Sequence, residues 1–306
     1  MKILSTGGFS TILYPYNNNN EVGKLIYVKK NNIGYIENEV RITELIYNIE
    51  NNNKYYSTFI LEKKELIKLD SSRFDKLKEV LIKDKYYEPK INNSLYLLCY
   101  PLKYCGIDMF YLINDVIDFD FSLWENNIEY KIYSLIKHLL EGLFFLHENK
   151  ITHFDIKPEN IVYNSEGGHF GERFKIIDFG LSNTYPFTNY IEKGPFGTQE
   201  FIPKEFDREI CFPNSKPNDW TQNAGPDVFK KYIHIASKTK EYNLIYKTDI
   251  YALGMSIYNL IYYLNYNTKL LDKLLKNMVH DNIYLRYTAQ QCLDDDYCQL
   301  EVTKHS

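Results

Sequence analysis

Little in this sequence is suited to cross-linking, zinc binding or spanning a bilayer. Five cysteines, Cys99, Cys105, Cys211, Cys292 and Cys298, are scattered over 306 residues. They form no C-x-x-C pair and no zinc-ligand spacing, so a reduced intracellular protein (cytoplasmic or nuclear) without disulfides is expected. No apolar run approaches the length of a membrane span. The opening MKILSTGGFSTIL is broken by Ser, Thr and Gly and does not form a signal-peptide core. A soluble chain without a membrane partner is the expectation. Excess positive charge is also missing: 36 Lys plus Arg face 40 Asp plus Glu, a net of -4. No global basic field draws the chain to nucleic acid, and no nucleic-acid partner is expected. No internal repeat is visible.

What is present changes character along the chain. KILSTGGFSTILYPY reads as two short strands joined by a Gly-rich turn, and KLIYVKK as a third after a polar NNNN tip. YIENEVRITELIYNI, residues 35 to 49, places Ile36, Val40, Ile42 and Ile46 near helical spacing. SLYLLCYPL, residues 94 to 102, reads as a buried strand stopped by Pro101. After it come long amphipathic or buried helices, EYKIYSLIKHLLEGLFFLHENK at 129 to 150 and DIYALGMSIYNLIYYLNY from Asp249. The segment 207 to 246 has no clear period and reads as an insertion or elaborated loop. A β-rich start followed by a helical remainder predicts an α+β fold.

HFDIKPENI, residues 153 to 161, concentrates acids, a lysine and an amide in one loop. Beside an anionic phosphate donor, Asp155 is suited to accept a hydroxyl proton, Lys157 to offset charge on a transferring phosphoryl group, and Asn160 to hold a metal ion by its amide oxygen. FKIIDFGLS, residues 174 to 182, is an apolar strand ending in Asp178, which suits a second metal ligand. By itself the first loop also fits a solvated turn with Asp155 as a cap, and a lone D-F-G is a weak signal. The two together, in this order and with a strand between them, are specific.

Together these segments resemble the eukaryotic-type protein kinase family, serine/threonine type, and the resemblance runs over nearly the whole chain. It implies a bilobal fold with an N-lobe over residues 1 to 100 and a larger, mainly helical C-lobe over 101 to 306 that includes the 207 to 246 insertion. STGGFSTI, residues 5 to 12, resembles the Gly-rich loop, with Ser5 and Ser10 in place of two glycines, Gly7 kept, Phe9 at the tip and Ile12 after it. IYVKK, residues 26 to 30, resembles the strand with the phosphate-binding lysine. That makes Lys29 the anchor, in preference to Lys30, and puts Tyr27 over the adenine. Glu39 resembles the helix glutamate that pairs with this lysine, and Glu44 is its rival. Cys99 corresponds to the gatekeeper and Tyr100 to Leu102 to the adenine-binding segment. Asp108 lies near the ribose or a substrate side chain, and Val162 completes the nucleotide set.

GTQEFIPKE, residues 197 to 205, resembles the end of the activation segment, with Thr198 poised to bond Asp155 and Lys157, and Glu205 as its terminal acid. Asp249 and Gly254 match a buried helix start beneath the catalytic loop, and Arg286 matches the arginine that pairs with Glu205. The resemblance implies ATP and Mg²⁺ (or Mn²⁺) as cofactors and a protein as substrate. The expected activity is transfer of the γ-phosphoryl group to serine or threonine. The alternative is a pseudokinase acting as a binding scaffold, suggested by Tyr27 and the missing glycines. A small-molecule kinase is disfavoured by the activation-segment end. Phe154 stands where most of the family place an arginine that reads a phosphorylated activation segment, so activity is expected not to require that phosphate.

Overall fold

The computed structural model describes residues 2–6, 10–15, 21–28, 33–50, 59, 67–68, 96–114, 126–164, 169–184, 197–203 and 243–300. The chain divides into two units, one made of Met1–Asn48 with Ile60–Cys105 and the other of Ile49–Phe59 with Gly106–Ser306. Among the described residues the first is a sheet with one helix and the second is mainly helical, an α+β fold.

In the first unit, β1 (Lys2–Thr6), β2 (Ser10–Tyr14), β3 (Glu21–Val28), β4 (Ile67–Lys68) and β5 (Tyr96–Lys103) form one sheet in the order β1-β2-β3-β5-β4. Every pairing in it is antiparallel. Residues alternate in β2, with Thr11 and Leu13 fully buried, as period-two geometry requires of a half-covered strand. Helix α1 (Ile33–Glu50) contributes Ile42 and Ile46, both without exposed surface. Two expectations need correction here. The third strand starts at Glu21, so Lys24 lies inside it and Lys29 follows its last residue. Pro101 does not stop β5, which runs on to Lys103 with Pro101 opposite Gly23. The described part of β4 meets β5 only at Leu98 and Cys99. At Pro101, therefore, β3 is the one described neighbour.

In the second unit, β6 (Ile107–Asp108) and α2 (Met109–Asn114) precede α3 (Ile128–Glu148). Along α3, Ile132, Leu135, Ile136, Leu139, Leu140, Leu143 and Leu146 recur at helical spacing and are all fully buried. Each such side chain contributes roughly 1.5–3 kcal/mol of burial free energy. This stripe is the centre of the unit. It fixes the departure point of β7 (Ile151–Thr152), from which the acidic loop hangs. β8 (Ile161–Tyr163) and β9 (Phe174–Ile176) follow, ordered β6-β8-β9, while β10 (Asn183–Thr184) pairs with β7.

Helix α4 spans Asn243–Tyr263, so residues 243 to 246 of the expected insertion belong to a helix. Leu244, Ile245 and Tyr246 are buried there, and that burial extends the helix back past Asp249. The rest of that segment, 207 to 242, lies outside the described residues. α5 (Lys269–Met278) crosses α4 closely: a Cβ on Gly254 would sit 2.7 Å from Val279 Cγ1, so the contact requires glycine. The short α6 (Ala289–Leu293) opens with a capping box between Thr288 and Gln291. No described helix is long and apolar enough to cross a membrane.

Candidate active site

In the second unit the acidic loop is suspended from one buried carboxylate. Asp249 of α4 has no exposed surface; its Oδ2 accepts from His153 N at 2.8 Å and its Oδ1 from Phe154 N at 2.8 Å. His147 Nε2, at the end of α3, lies 3.0 Å from the same Oδ2. These bonds hold Phe154 in a left-handed backbone conformation (φ 65°), uncommon for a bulky residue. His153 Nδ1 accepts from Asp155 N at 3.2 Å, so its proton is on Nε2, which donates to Ile177 O at 3.0 Å. Ser182 Oγ donates to His153 O. The loop is thus tied to α4, to β10 and to the turn after β9.

Asp155 is the focus of the bonds this scaffold makes. Thr198 Oγ1 donates to its Oδ1 at 3.1 Å, and Asn160 Nδ2 donates to its Oδ2 at 2.9 Å and to its backbone oxygen at 2.8 Å. Lys157 Nζ lies 3.2 Å from Oδ2 and donates to Thr198 Oγ1 at 2.7 Å. The sequence expectation that Thr198 bonds both Asp155 and Lys157 matches this geometry. Burial pushes the Asp155 carboxyl above its ordinary value, Lys157 and His153 pull it down, and Asp178 pushes it up. The result is a carboxylate more basic than a surface aspartate, held by three polar side chains, which is what a proton acceptor needs.

Asp178 follows β9 with φ 65° and ψ 78°, also left-handed, and its Oδ1 accepts from Gly180 N at 3.2 Å. Ile177 N donates to Asn160 O at 3.0 Å, stitching the two turns together. Both hydrogens of the Asn160 amide nitrogen are taken by Asp155, so Oδ1 is the Asn160 side-chain atom that remains to face a cation. An amide oxygen and a carboxylate suit a hard divalent ion that takes its other ligands from phosphates and water. No cluster of three or more His, Cys, Asp or Glu capable of holding a metal occurs among the described residues. Asn160 Oδ1 and the Asp178 carboxylate fit a divalent cation.

In the first unit, Glu39 of α1 meets a lysine as expected, but the lysine is Lys24. Lys24 Nζ is 2.7 Å from Glu39 Oε1, with side chains 9% and 11% exposed. Glu44, the rival, is exposed. Lys29 and Lys30 lie outside the described residues, as do Gly7, Phe9 and Glu205; of Ser5, Tyr27, Cys99 and Tyr100 only the backbone is described. Sequence reasoning missed Lys24 because it began the strand there, when the strand begins at Glu21. The available signal was spacing, since Lys24 and Glu39 are 15 residues apart and Lys29 is nearer. Register sets Lys24 opposite Tyr100 and Leu25 opposite Cys99, and Val22 opposite Leu102. Ile12 is half-buried in β2.

Asp108 of β6 accepts from Tyr111 N at 2.7 Å, capping the start of α2, and burial raises its carboxyl. Val162 in β8 pairs with Asp108 on one side and Lys175 on the other. Arg286 is fully buried, donates to His280 O and Lys247 O, and lies over the Tyr251 ring.

Comparison with known proteins places the same residues in a family context. The protein kinase domain family matches residues 108–220, the stretch that holds the loop, the D-F-G and Thr198. Myosin light chain kinase 2, skeletal/cardiac muscle, of Rattus norvegicus is 35% identical over 94 residues, 31% of this chain and 14% of that protein. Myosin light chain kinase 3 of Rattus norvegicus is 44% identical over 69 residues, 22% and 8%. The probable serine/threonine-protein kinase fhkE of Dictyostelium discoideum is 30% identical over 159 residues, 49% and 21%. The chain spans between 8% and 21% of the length of these relatives.

Proposed function

Because the chain belongs to the eukaryotic-type protein kinase family, we propose that it transfers the γ-phosphoryl group of ATP to serine or threonine hydroxyls of a protein substrate. The observation that carries this reading is the Lys157, Thr198 and Asp155 chain of bonds, with Asn160 fixing the same carboxylate. Asp155 accepts the proton of the attacking hydroxyl at Oδ1 or Oδ2. Lys157, 3.2 Å away, places positive charge beside the transferring group. Bound Mg²⁺-ATP supplies the phosphoryl group and a cation that offsets the phosphate charge. Asn160 Oδ1 and the Asp178 carboxylate would hold that cation, and Mn²⁺ has the same donor preference.

In the first unit, Lys24 takes the anchor role that the sequence pattern assigns to Lys29, steered by Glu39. Val22, two residues earlier on the same strand face, then takes the adenine-roof position in place of Tyr27. With Val22 there, the pseudokinase reading loses its steric argument. The resemblance assigns Ser5, Gly7, Phe9 and Ile12 to the phosphate-covering loop. The resemblance assigns Tyr100 and Leu102 to adenine, and Cys99, Asp108 and Val162 to the nucleotide. Cys292 and Cys298 are buried, and burial pushes the Cys298 thiol up to about 12. The test is transfer from γ-labelled ATP to generic protein substrates, with Asp155→Asn as control. Label on serine or threonine that vanishes in the variant supports the reading, and no transfer under any divalent cation overturns it.

A further inference from the structure

Thr152 of β7 and Asn183 of β10 stand directly opposite each other in the antiparallel pair of the second unit. Thr152 has no exposed surface and Asn183 is 3% exposed. The Thr152 hydroxyl oxygen and the Asn183 amide nitrogen bond neither to each other nor to any other group among the described residues. Polar atoms beside them behave otherwise. Ser182, equally buried, donates through Oγ to His153 O at 3.1 Å, and Asn183 Oδ1 accepts from Thr184 N at 2.7 Å. That last bond fixes the amide, because a flip would set Nδ2 against the Thr184 N–H with two donors facing each other. Leaving either atom orphaned costs the desolvation of a polar group, which native interiors seldom tolerate.

Directly opposed residues of an antiparallel pair share one face and hold their Cβ atoms about 4.5–5.5 Å apart. One small molecule with a bond of about 2.8 Å to each polar atom spans a gap of that size. Its chemistry is narrow. Asn183 Nδ2 only donates, so it repels a cation and calls for an acceptor, whereas the Thr152 hydroxyl both donates and accepts. An anion would leave its charge buried between two neutral side chains, at a high desolvation cost. We propose that Thr152 and Asn183 bind a single buried water molecule between β7 and β10, which accepts from Asn183 Nδ2 and makes a second bond with Thr152 Oγ1. Two protein partners are at the lower end of what buried waters use. The site is independent of the phosphoryl-transfer reading and is present whatever reaction the chain carries out.

The test joins a crystal structure of the full chain to a thermal double-mutant cycle on Thr152→Val and Asn183→Leu, both close to the parent in shape. Density for one water within hydrogen-bonding distance of both atoms is expected. A direct bond between the two side chains, or no ordered molecule between them, overturns the proposal. With the water held, Thr152→Val strips it of a partner and lowers the melting temperature by about 2 °C, the effect of one ordinary hydrogen bond in a chain of this size. If the hydroxyl is an orphan, the same variant removes a cost, and a melting temperature that rises or stays put overturns the proposal. In the Asn183→Leu background the water has already lost a partner, so the Thr152→Val shift is expected to shrink or reverse. Equal shifts in the two backgrounds would show that the residues share no ligand. Should Asn183→Leu fail to fold, the crystal structure and the sign of the Thr152→Val shift decide by themselves.

Discussion

Lys24 of β3 and Glu39 of α1 form a buried ion pair, 2.7 Å from Nζ to Oε1. Burying two charges is costly, and removing one partner leaves the other uncompensated, which typically destabilises by about 3–5 kcal/mol. A chain that keeps such a pair in a small sheet unit is therefore expected to use it. Lys24→Met should lower kcat/KM for ATP by roughly two orders of magnitude, comparable to the loss of another charge-stabilising donor. Lys29→Met should change it little. Steady-state kinetics on the two variants decide between the lysines, and the reverse pattern would restore Lys29 as the anchor.

Asp155→Asn keeps the shape of the loop but removes the proton acceptor. Transfer should fall by about two to four orders of magnitude, while nucleotide binding, measured by calorimetry, stays near that of the parent. Asp178→Ala should instead weaken Mg²⁺-dependent nucleotide binding. Near-parental turnover in Asp155→Asn would remove it from the role of base.

The pH profile follows from the same carboxyl. Asp155 works deprotonated, and burial raises its carboxyl above the ordinary aspartate value. Activity is therefore present above the raised value and lost as pH falls through it, at higher pH than for a surface aspartate. Lys157 pulls the carboxyl down, so Lys157→Met should move the acid limb of kcat/KM further up. A limb that stays put or moves down would show that another group controls it.

Gly197 has φ 79°, and a Cβ there would lie 2.6 Å from Phe154 O and 3.7 Å from Asp155 Oδ1. Gly197→Ala combines left-handed strain of about 1–2 kcal/mol with a clash against the loop's backbone. It should pull Thr198 off Asp155 and cut kcat by more than it lowers the melting temperature would suggest. Unchanged kcat in a folded Gly197→Ala protein would show that the close approach is not needed for transfer.

Phe154 is 7% exposed and lines a small cavity of about 20 Å³ with Gly197, Phe201 and Ala252. An apolar ring there cannot recognise a phosphate on the activation segment. Protein made in bacteria and dephosphorylated, with Thr184 and its neighbours checked by mass spectrometry, should transfer phosphate without a lag. Activity that appears only after the segment gains phosphate would reverse this expectation.

The sequence alone was enough to expect the loop's contacts. Asp155, Lys157, Asn160 and Thr198 sit in short motifs, and the structure brings them together. α1 and α3 were legible for a related reason: a 3.6-residue apolar period is a local signal, and burial of that face enforces it. The Lys24–Glu39 pair was not legible. The sequence pattern pointed to Lys29 in preference to Lys30, and only the tertiary contact between β3 and α1 brings Lys24 to Glu39. Pro101 within β5 was equally hidden, because whether a missing N–H matters depends on what lies beside the strand.

Asp249 makes the same point at the site itself. It could be matched by pattern, but its two bonds to the amides of His153 and Phe154 span more than 90 residues of sequence. Sequence determined which polar groups gather in the loop and the turn after β9, because that depends on residue type and short spacing. Tertiary structure decided that Lys24 pairs with Glu39 and how the left-handed turn at Phe154 is held, because those depend on contacts between elements far apart in the chain.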